Sequence, residues 1–257
     1  MNSAIGALRF PASGMRWLAA LLFAPISIAI AGQGTLPAEF AVRWDPKEGG
    51  PASAKDVLKA LGWNESDKDV YDVRYFEAGH PEPAPNGFRT ILRERVKQGK
   101  KKVELTYKIR GDKPLPAELA WKCPLPTTEP TKIEVDVSFI PLSDPKTRKV
   151  SIQPKKVYSA SCELEGDAGK TSFPARLKPS ARACRSEMTR LRSSDYKVEQ
   201  WRLGSGAQLI EISLNGVDAS EQAEAFRDRV VAPLLKLGAK PVDRSKTEAG
   251  SVCKNRK

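Results

Sequence analysis

Apolar residues recur at every second position in five stretches of this chain, and that period of two constrains the fold more than any other feature. Phe40, Val42 and Trp44 alternate with Glu39, Ala41, Arg43 and Asp45, and Tyr71, Val73 and Tyr75 alternate with Asp72 and Arg74. Val103, Leu105, Tyr107 and Ile109 oppose Glu104, Thr106, Lys108 and Arg110. Ile133, Val135, Val137 and Phe139 oppose Glu134, Asp136 and Ser138; Ile210, Ile212 and Leu214 oppose Glu211, Ser213 and Asn215. Weaker strand patterns cover residues 89–96, 156–164 and 197–203. Alternation of this kind buries one face of each strand and leaves the other to water or to a polar lumen.

Lys97-Gln-Gly-Lys-Lys-Lys102 is a glycine-containing turn that joins two strands into a hairpin. Helical patterns are few. Residues 53–61 begin at Ser53, a good N-cap, and stop at Gly62, a natural C′ residue. A second helix opens at Asp218 or Ser220, aligns Phe226, Val230, Leu234 and Leu237 on one face, and closes at Gly238, with Pro233 expected to kink it. A short, strongly basic helix is expected over residues 180–192, and proline-rich loops over 80–85 and 114–130. About eight strands with few helices favour one β-rich domain, closed or nearly so.

The 257 residues carry 43 Lys and Arg against 31 Asp and Glu, a net charge of +12 that points to an anionic partner. A single His leaves almost no room for imidazole chemistry or a histidine metal cage. Arg9 and Arg16 precede an apolar run from Trp17 to Ala31 that is interrupted by Pro25 and ends in Ala29-Ile-Ala31. These features read as a cleaved secretory signal over residues 1–31, followed by a single domain over 32–257. The run is short for a spanning helix, so no membrane span is expected after cleavage, and the expected location is periplasmic or secreted. Loss of Arg9 and Arg16 takes the charge from +12 to +10. In an oxidising compartment, Cys123, Cys162, Cys184 and Cys253 are expected to form two disulfides. Three pairings are open; Cys123–Cys162 with Cys184–Cys253 closes a loop within each half. No Cys-x-x-Cys pair argues for zinc or a redox motif.

The polar strand faces pair like with like two residues apart: Arg93 with Arg95, Lys108 with Arg110, Glu134 with Asp136. If the sheet closes, these faces become a lumen with cationic and acidic walls. Guanidinium groups clamp phosphate oxygens bidentately, and clustered carboxylates suit a hard cation such as Mg²⁺. A phosphate chain with bound metal would satisfy both walls. The competing reading is an ordinary salt-bridged sheet surface.

The order of segments resembles the CYTH, or triphosphate tunnel metalloenzyme, superfamily. Glu39-Phe-Ala-Val-Arg43 stands where that family opens with Glu-x-Glu-x-Lys, and Tyr71-Asp-Val-Arg-Tyr-Phe76 is similar to its second strand. Leu92-Arg-Glu-Arg95 followed by Glu104-Leu-Thr-Tyr-Lys108 resembles its Leu-Arg-x-Arg … Leu-Thr-x-Lys hairpin. Glu199-Gln-Trp with Leu209-Ile-Glu-Ile-Ser213 resembles its late strands, and Leu237-Gly-Ala-Lys-Pro with Ser245-Lys246 its C-terminal motif. The resemblance runs from Glu39 to Gly250. It implies an α+β fold, an eight-stranded antiparallel β-barrel tunnel with a few helices packed outside. It further implies phosphate binding by Arg43, Arg93, Arg95, Lys108 and Lys246, joined by Arg182 or Arg190 from the basic segment. Glu39, Glu134, Glu199 and Glu211 would hold Mg²⁺ or Mn²⁺. Members hydrolyse triphosphates or cyclise ATP.

This chain departs from the family pattern at Ala41 and Ser213, each in place of Glu, and at Arg43 in place of Lys. The cationic wall persists while the acidic wall is thinned. The expectation is an exported tunnel protein that binds a phosphate-rich small anion, with metal-dependent triphosphatase activity weak or absent. The alternative is a catalytically inert, disulfide-stabilised envelope scaffold or partner-binding module. His80 lies in the Pro-rich stretch His80-Pro-Glu-Pro and is read as a loop residue. No phosphate-binding glycine loop occurs, and the aromatic residues lack the basic interleaving of a nucleic-acid platform, so no specific nucleic acid is expected.

Overall fold

The computed structural model describes residues 35–76, 87–115, 121–177, 179 and 184–250. The signal segment 1–31, the loop carrying His80, Arg182 and Cys253 lie outside them. Among the described residues, nine strands close into a barrel. They are β1 (Pro37–Trp44), β2 (Asp67–Phe76), β3 (Phe88–Lys97), β4 (Lys102–Gly111), β5 (Lys132–Ser143), β6 (Val150–Asp167), β7 (Cys184–Ser193), β8 (Tyr196–Arg202) and β9 (Gln208–Val217). Their order around the barrel is β1-β5-β6-β4-β3-β2-β7-β8-β9. The expected barrel is present, with nine strands instead of eight and with one parallel pair, β1 against β5.

The extra strand is β7. Its sequence, Cys184-Arg-Ser-Glu-Met-Thr-Arg-Leu-Arg-Ser193, falls where the basic residues suggest a helix over 180–192. It is a strand because its two large apolar residues need opposite faces. Met188 packs inward with Val73 and Trp201, while Leu191 packs outward among the residues that cover the barrel. A single helical stripe could not serve both.

Outside the barrel, Phe40, Val42 and Trp44 of β1 join Val135, Val137 and Phe139 of β5 and Ile210 and Ile212 of β9 in one apolar layer. Each side chain so buried contributes roughly 1.5–3 kcal/mol. Helix α1 (Ala54–Leu61) covers part of this layer with Ala54, Val57 and Leu58. Ser53 accepts the Asp56 N–H at its start, and Gly62, at φ 71°, ends it in the left-handed conformation. Helices α2 (Ser220–Phe226) and α3 (Ala232–Lys236) supply Phe226 and Leu234. Between them lies one π-type turn, Arg227–Val231, in which the Ala232 N–H donates to the Arg227 carbonyl. Pro233 has no N–H to continue the ladder, and the wider turn absorbs the expected kink. Leu237, expected on the buried face, is 45% exposed because the helix has already ended.

A second outer layer, on β3, β4 and β6, is covered by Leu125, Phe173 and Leu177. The disulfide Cys123–Cys162 ties this covering loop to β6. Cys184 is also disulfide-bonded, to a partner outside the described residues. No helix among the described residues is long and apolar enough to cross a membrane.

Candidate functional site

Because the outer layers consume the apolar strand faces, the polar faces turn into the barrel. β1 contributes Glu39, Ala41 and Arg43; β4 contributes Thr106, Lys108 and Arg110; β9 contributes Glu211. β2 is the exception: Val73 and Tyr75 face inward and, with Ile91, Met188, Trp201 and Leu209, fill one side of the interior. A last helical turn, α4 (Lys246–Gly250), is seated beside them, with Ala249 in the same cluster.

The lumen that remains is a run of three connected spaces. A chamber of about 350 Å³ shares Glu39, Arg93, Thr106, Lys108 and Lys246 with a narrower one of about 110 Å³. The narrower space shares Arg43, Arg110 and Ser138 with an opening of about 410 Å³ at the far end. The expected phosphate-holding set therefore lines one passage: Arg93, Lys108 and Lys246 border both inner spaces, Arg95 the larger and Arg43 the narrower. In the main chamber eight cationic side chains (Arg93, Arg95, Lys108, Lys132, Arg190, Arg192, Lys197, Lys246) face four carboxylates, Glu39, Glu134, Glu163 and Glu199. Four further carboxylates, Glu104, Asp136, Glu211 and Asp67, pair with these same cations from outside that lining and bring the ring close to charge balance.

The carboxylates are held by these cations. Glu199 Oε1 accepts from Arg190 at 2.7 and 2.9 Å, and its Oε2 accepts from Lys246 at 2.9 Å and from the Trp201 indole at 3.1 Å. Glu211 accepts from Arg43 at 2.8 Å and from Lys246 at 2.6 Å. Glu39 accepts from Lys197 at 2.8 Å, and Glu134 from Lys108 at 3.2 Å and from Lys132. Burial would raise the Glu199 carboxyl, but Lys246 and Arg190 hold it well below the usual carboxylate range. Burial opposes charge on Glu39 too, yet Lys197 and Lys246 keep its carboxyl at about 2. Lys246 moves up in return, because Glu199 and Glu211 outweigh the burial that would lower it.

Sequence reasoning does not name Glu104 or Lys197 as site residues, and it names Asp136 only as a member of the acidic strand face beside Glu134. Glu104 accepts from both Arg93, at 3.0 Å, and Arg95. Lys197 is the second residue of β8 and donates to Glu39, and Asp136 receives Lys108 at 3.2 Å. Asp136 and Arg110 do carry a signal, since each shares a strand face with a chosen residue. Arg190, the alternative to Arg182, is in the chamber. Two guanidinium groups lie over the Tyr71 ring, Arg95 at 4.9 Å and Arg190 at 5.3 Å from its centre, a cation–π contact that stabilises both. The Nε groups of Arg93 and Arg95 are buried and have no hydrogen-bond acceptor among the described residues, while Arg110 Nε lies 3.2 Å from Asp136 Oδ2.

Of the four carboxylates expected to hold Mg²⁺ or Mn²⁺, Glu199 and Glu211 converge on Lys246 Nζ, whereas Glu39 is held by Lys197 and Glu134 by Lys108 and Lys132. Among the described residues, no three His, Cys, Asp or Glu are grouped to hold a metal ion. The donor set does not fit a divalent cation, which demands oxygen ligands in near-octahedral array.

No protein-family model and no curated protein matches the chain. Solved structures similar to it include a putative adenylyl cyclase from Hippeastrum, described as having a dominant triphosphatase activity (12% identity, 83% of this chain and 96% of that one, TM-score 0.45). A putative adenylate cyclase from Vibrio parahaemolyticus is similar at 10% identity over 86% of this chain and 100% of that one, TM-score 0.43. The PH1819 protein of Pyrococcus horikoshii is similar at 15% identity over 82% and 96%, TM-score 0.42. Among the described residues, the chain is thus a closed β-barrel whose lumen is lined by Arg and Lys.

Proposed function

We propose that this protein captures a compact, phosphate-rich anion of the triphosphate or short polyphosphate class inside its tunnel, after export from the cytoplasm. The observation that carries this reading is the ring of eight cationic side chains lining one chamber, in which the Arg93 and Arg95 Nε–H groups have no acceptor among the described residues. A buried N–H without an acceptor costs about 1–3 kcal/mol, and phosphate oxygens are the acceptors that Arg groups fit best. Recognition is of phosphate and not of a base. Tyr71 has a guanidinium over its ring from both Arg95 and Arg190, and Trp201 is buried against Lys246, so neither offers a free stacking surface in the chamber. Export is supported by Arg9 and Arg16 before the apolar run and is compatible with the disulfide. No bond-breaking step is assigned, since the carboxylates that would position a metal-activated water are engaged by Lys and Arg.

The test is calorimetric titration of the mature chain with tripolyphosphate, beside the double variant Arg93→Ala/Arg95→Ala. Each charge-assisted hydrogen bond removed is worth about 1.5–3 kcal/mol, so affinity should fall at least tenfold. Absence of binding, or binding that the double change leaves unaltered, overturns the proposal.

A further inference from the structure

The two departures from the acidic pattern are a single structural event. Ala41 on β1 pairs directly with Ser213 on β9, and on its other side Ala41 pairs with Ser138 of β5. All three are buried, and together they form an uncharged belt across three strands of the lumen wall. On β8, Lys197 is the cross-strand neighbour of Ser213, and its ammonium bridges Glu39 at 2.8 Å and Asn215 at 3.0 Å.

One step further in, Glu199 and Glu211 are themselves direct cross-strand partners. Two carboxylates so placed repel, and a buried pair of this kind needs a counter-ion between them. A divalent cation is one solution. Here Lys246 Nζ lies within hydrogen-bond distance of both carboxylates. Of the eight carboxylate oxygens on Glu39, Glu134, Glu199 and Glu211, seven already face an Arg or Lys donor.

We infer that the ammonium groups of Lys197 and Lys246 take the place of a divalent cation, so that the tunnel binds its polyanion without metal. This inference rests on the anion-binding reading above and specifies the form of the ligand: the bare phosphate anion, not its Mg²⁺ complex. Tripolyphosphate chelated by Mg²⁺ presents less negative charge to the chamber, so added metal competes with the protein for the ligand.

The experiment is titration of the mature chain with tripolyphosphate in EDTA and again in millimolar Mg²⁺, with Mn²⁺ alone followed by electron paramagnetic resonance. Affinity in EDTA should equal or exceed that in Mg²⁺, and Mn²⁺ alone should remain free in solution. Lys246→Ala should weaken binding in EDTA by roughly tenfold or more, because an ammonium that meets the phosphate oxygens is removed, whereas Lys246→Arg keeps the charge and the affinity. Lys197→Ala, at the chamber mouth, repeats the test without disturbing the Glu199–Glu211 pair. A gain of more than roughly threefold on adding Mg²⁺, or Mn²⁺ taken up by the protein alone, overturns this inference and leaves anion binding standing. No tripolyphosphate binding in either buffer overturns both.

Discussion

Arg43 Nε donates to Glu211 Oε2 at 2.8 Å, and through this bond the first and last strands of the barrel meet across 168 residues. The other oxygen of Glu211 receives Lys246, and the residue is 1% exposed. Replacing it with Gln leaves two enclosed cations around a neutral amide. Glu211→Gln should therefore destabilise the protein by about 3–5 kcal/mol, read as a lower urea midpoint. An unchanged midpoint would mean that the ion cluster contributes nothing to stability.

Acid should weaken the fold in a defined window. The Glu39, Glu104, Glu134 and Glu199 carboxyls are all held below their ordinary range: burial would raise each, but neighbouring Lys and Arg groups outweigh it. A carboxyl depressed in the folded state stabilises fully above its unfolded pKa, and that stability is lost as pH falls toward the folded value. For Glu39 the window runs from 4.5 down to about 2, worth roughly 3 kcal/mol at neutral pH. Urea midpoints should hold between pH 7 and about 5 and then decline steadily. A profile flat to pH 3 would contradict the inward ion pairing.

The disulfide between Cys123 and Cys162 spans 39 residues of sequence. Chain-entropy arguments put a loop of that length at about 4 kcal/mol, and the bond also keeps Leu125 seated on the outer wall of β4 and β6. The double variant Cys123→Ser/Cys162→Ser should melt well below the parent, with the tunnel's tripolyphosphate affinity little changed at low temperature. Equal melting temperatures would show that the loop stays docked without its covalent tie.

Phe226 anchors the outer helices by packing on Phe139 at 5.4 Å and Phe40 at 6.2 Å between ring centres. It is fully buried. Phe226→Ala should cost about 3–5 kcal/mol, measured by thermal or urea unfolding, without altering the charge of the lumen.

The elements with one clean apolar face are legible in the sequence, because β1, β4, β5 and β9 each place that face against helices or a covering loop. The capped helix α1 is legible for the same local reasons, Ser53 at its start and Gly62 at its end. β7 is not, since its inward face mixes Ser186, Met188 and Arg190 and its outward face is also charged. Barrel interiors blur the periodic signal whenever the lumen is part polar and part plugged; the alternation of β2 is plain in the sequence, but not that its Val73 and Tyr75 turn inward. The candidate cations are visible as like-charged pairs two residues apart. Glu39, Glu134, Glu199 and Glu211 are named from the sequence too, but as metal ligands; their pairing with cations is not legible, because Lys246 reaches Glu199 and Glu211 from 47 and 35 residues away and no local pattern encodes that meeting.

The β1–β9 seam also sets an order of events for a newly made chain. β1 is synthesised first, yet the strand that flanks it on one side is the last of the barrel, and Lys246 lies beyond even that. Until the final quarter of the polypeptide is available, Glu199 and Glu211 lack Lys246 and β1 presents an open edge. Contacts so distant in sequence slow folding, and an unpaired edge invites association with other chains in the meantime. Arrival of β9 beside β1, rather than collapse of any local segment, is thus the step that closes the barrel.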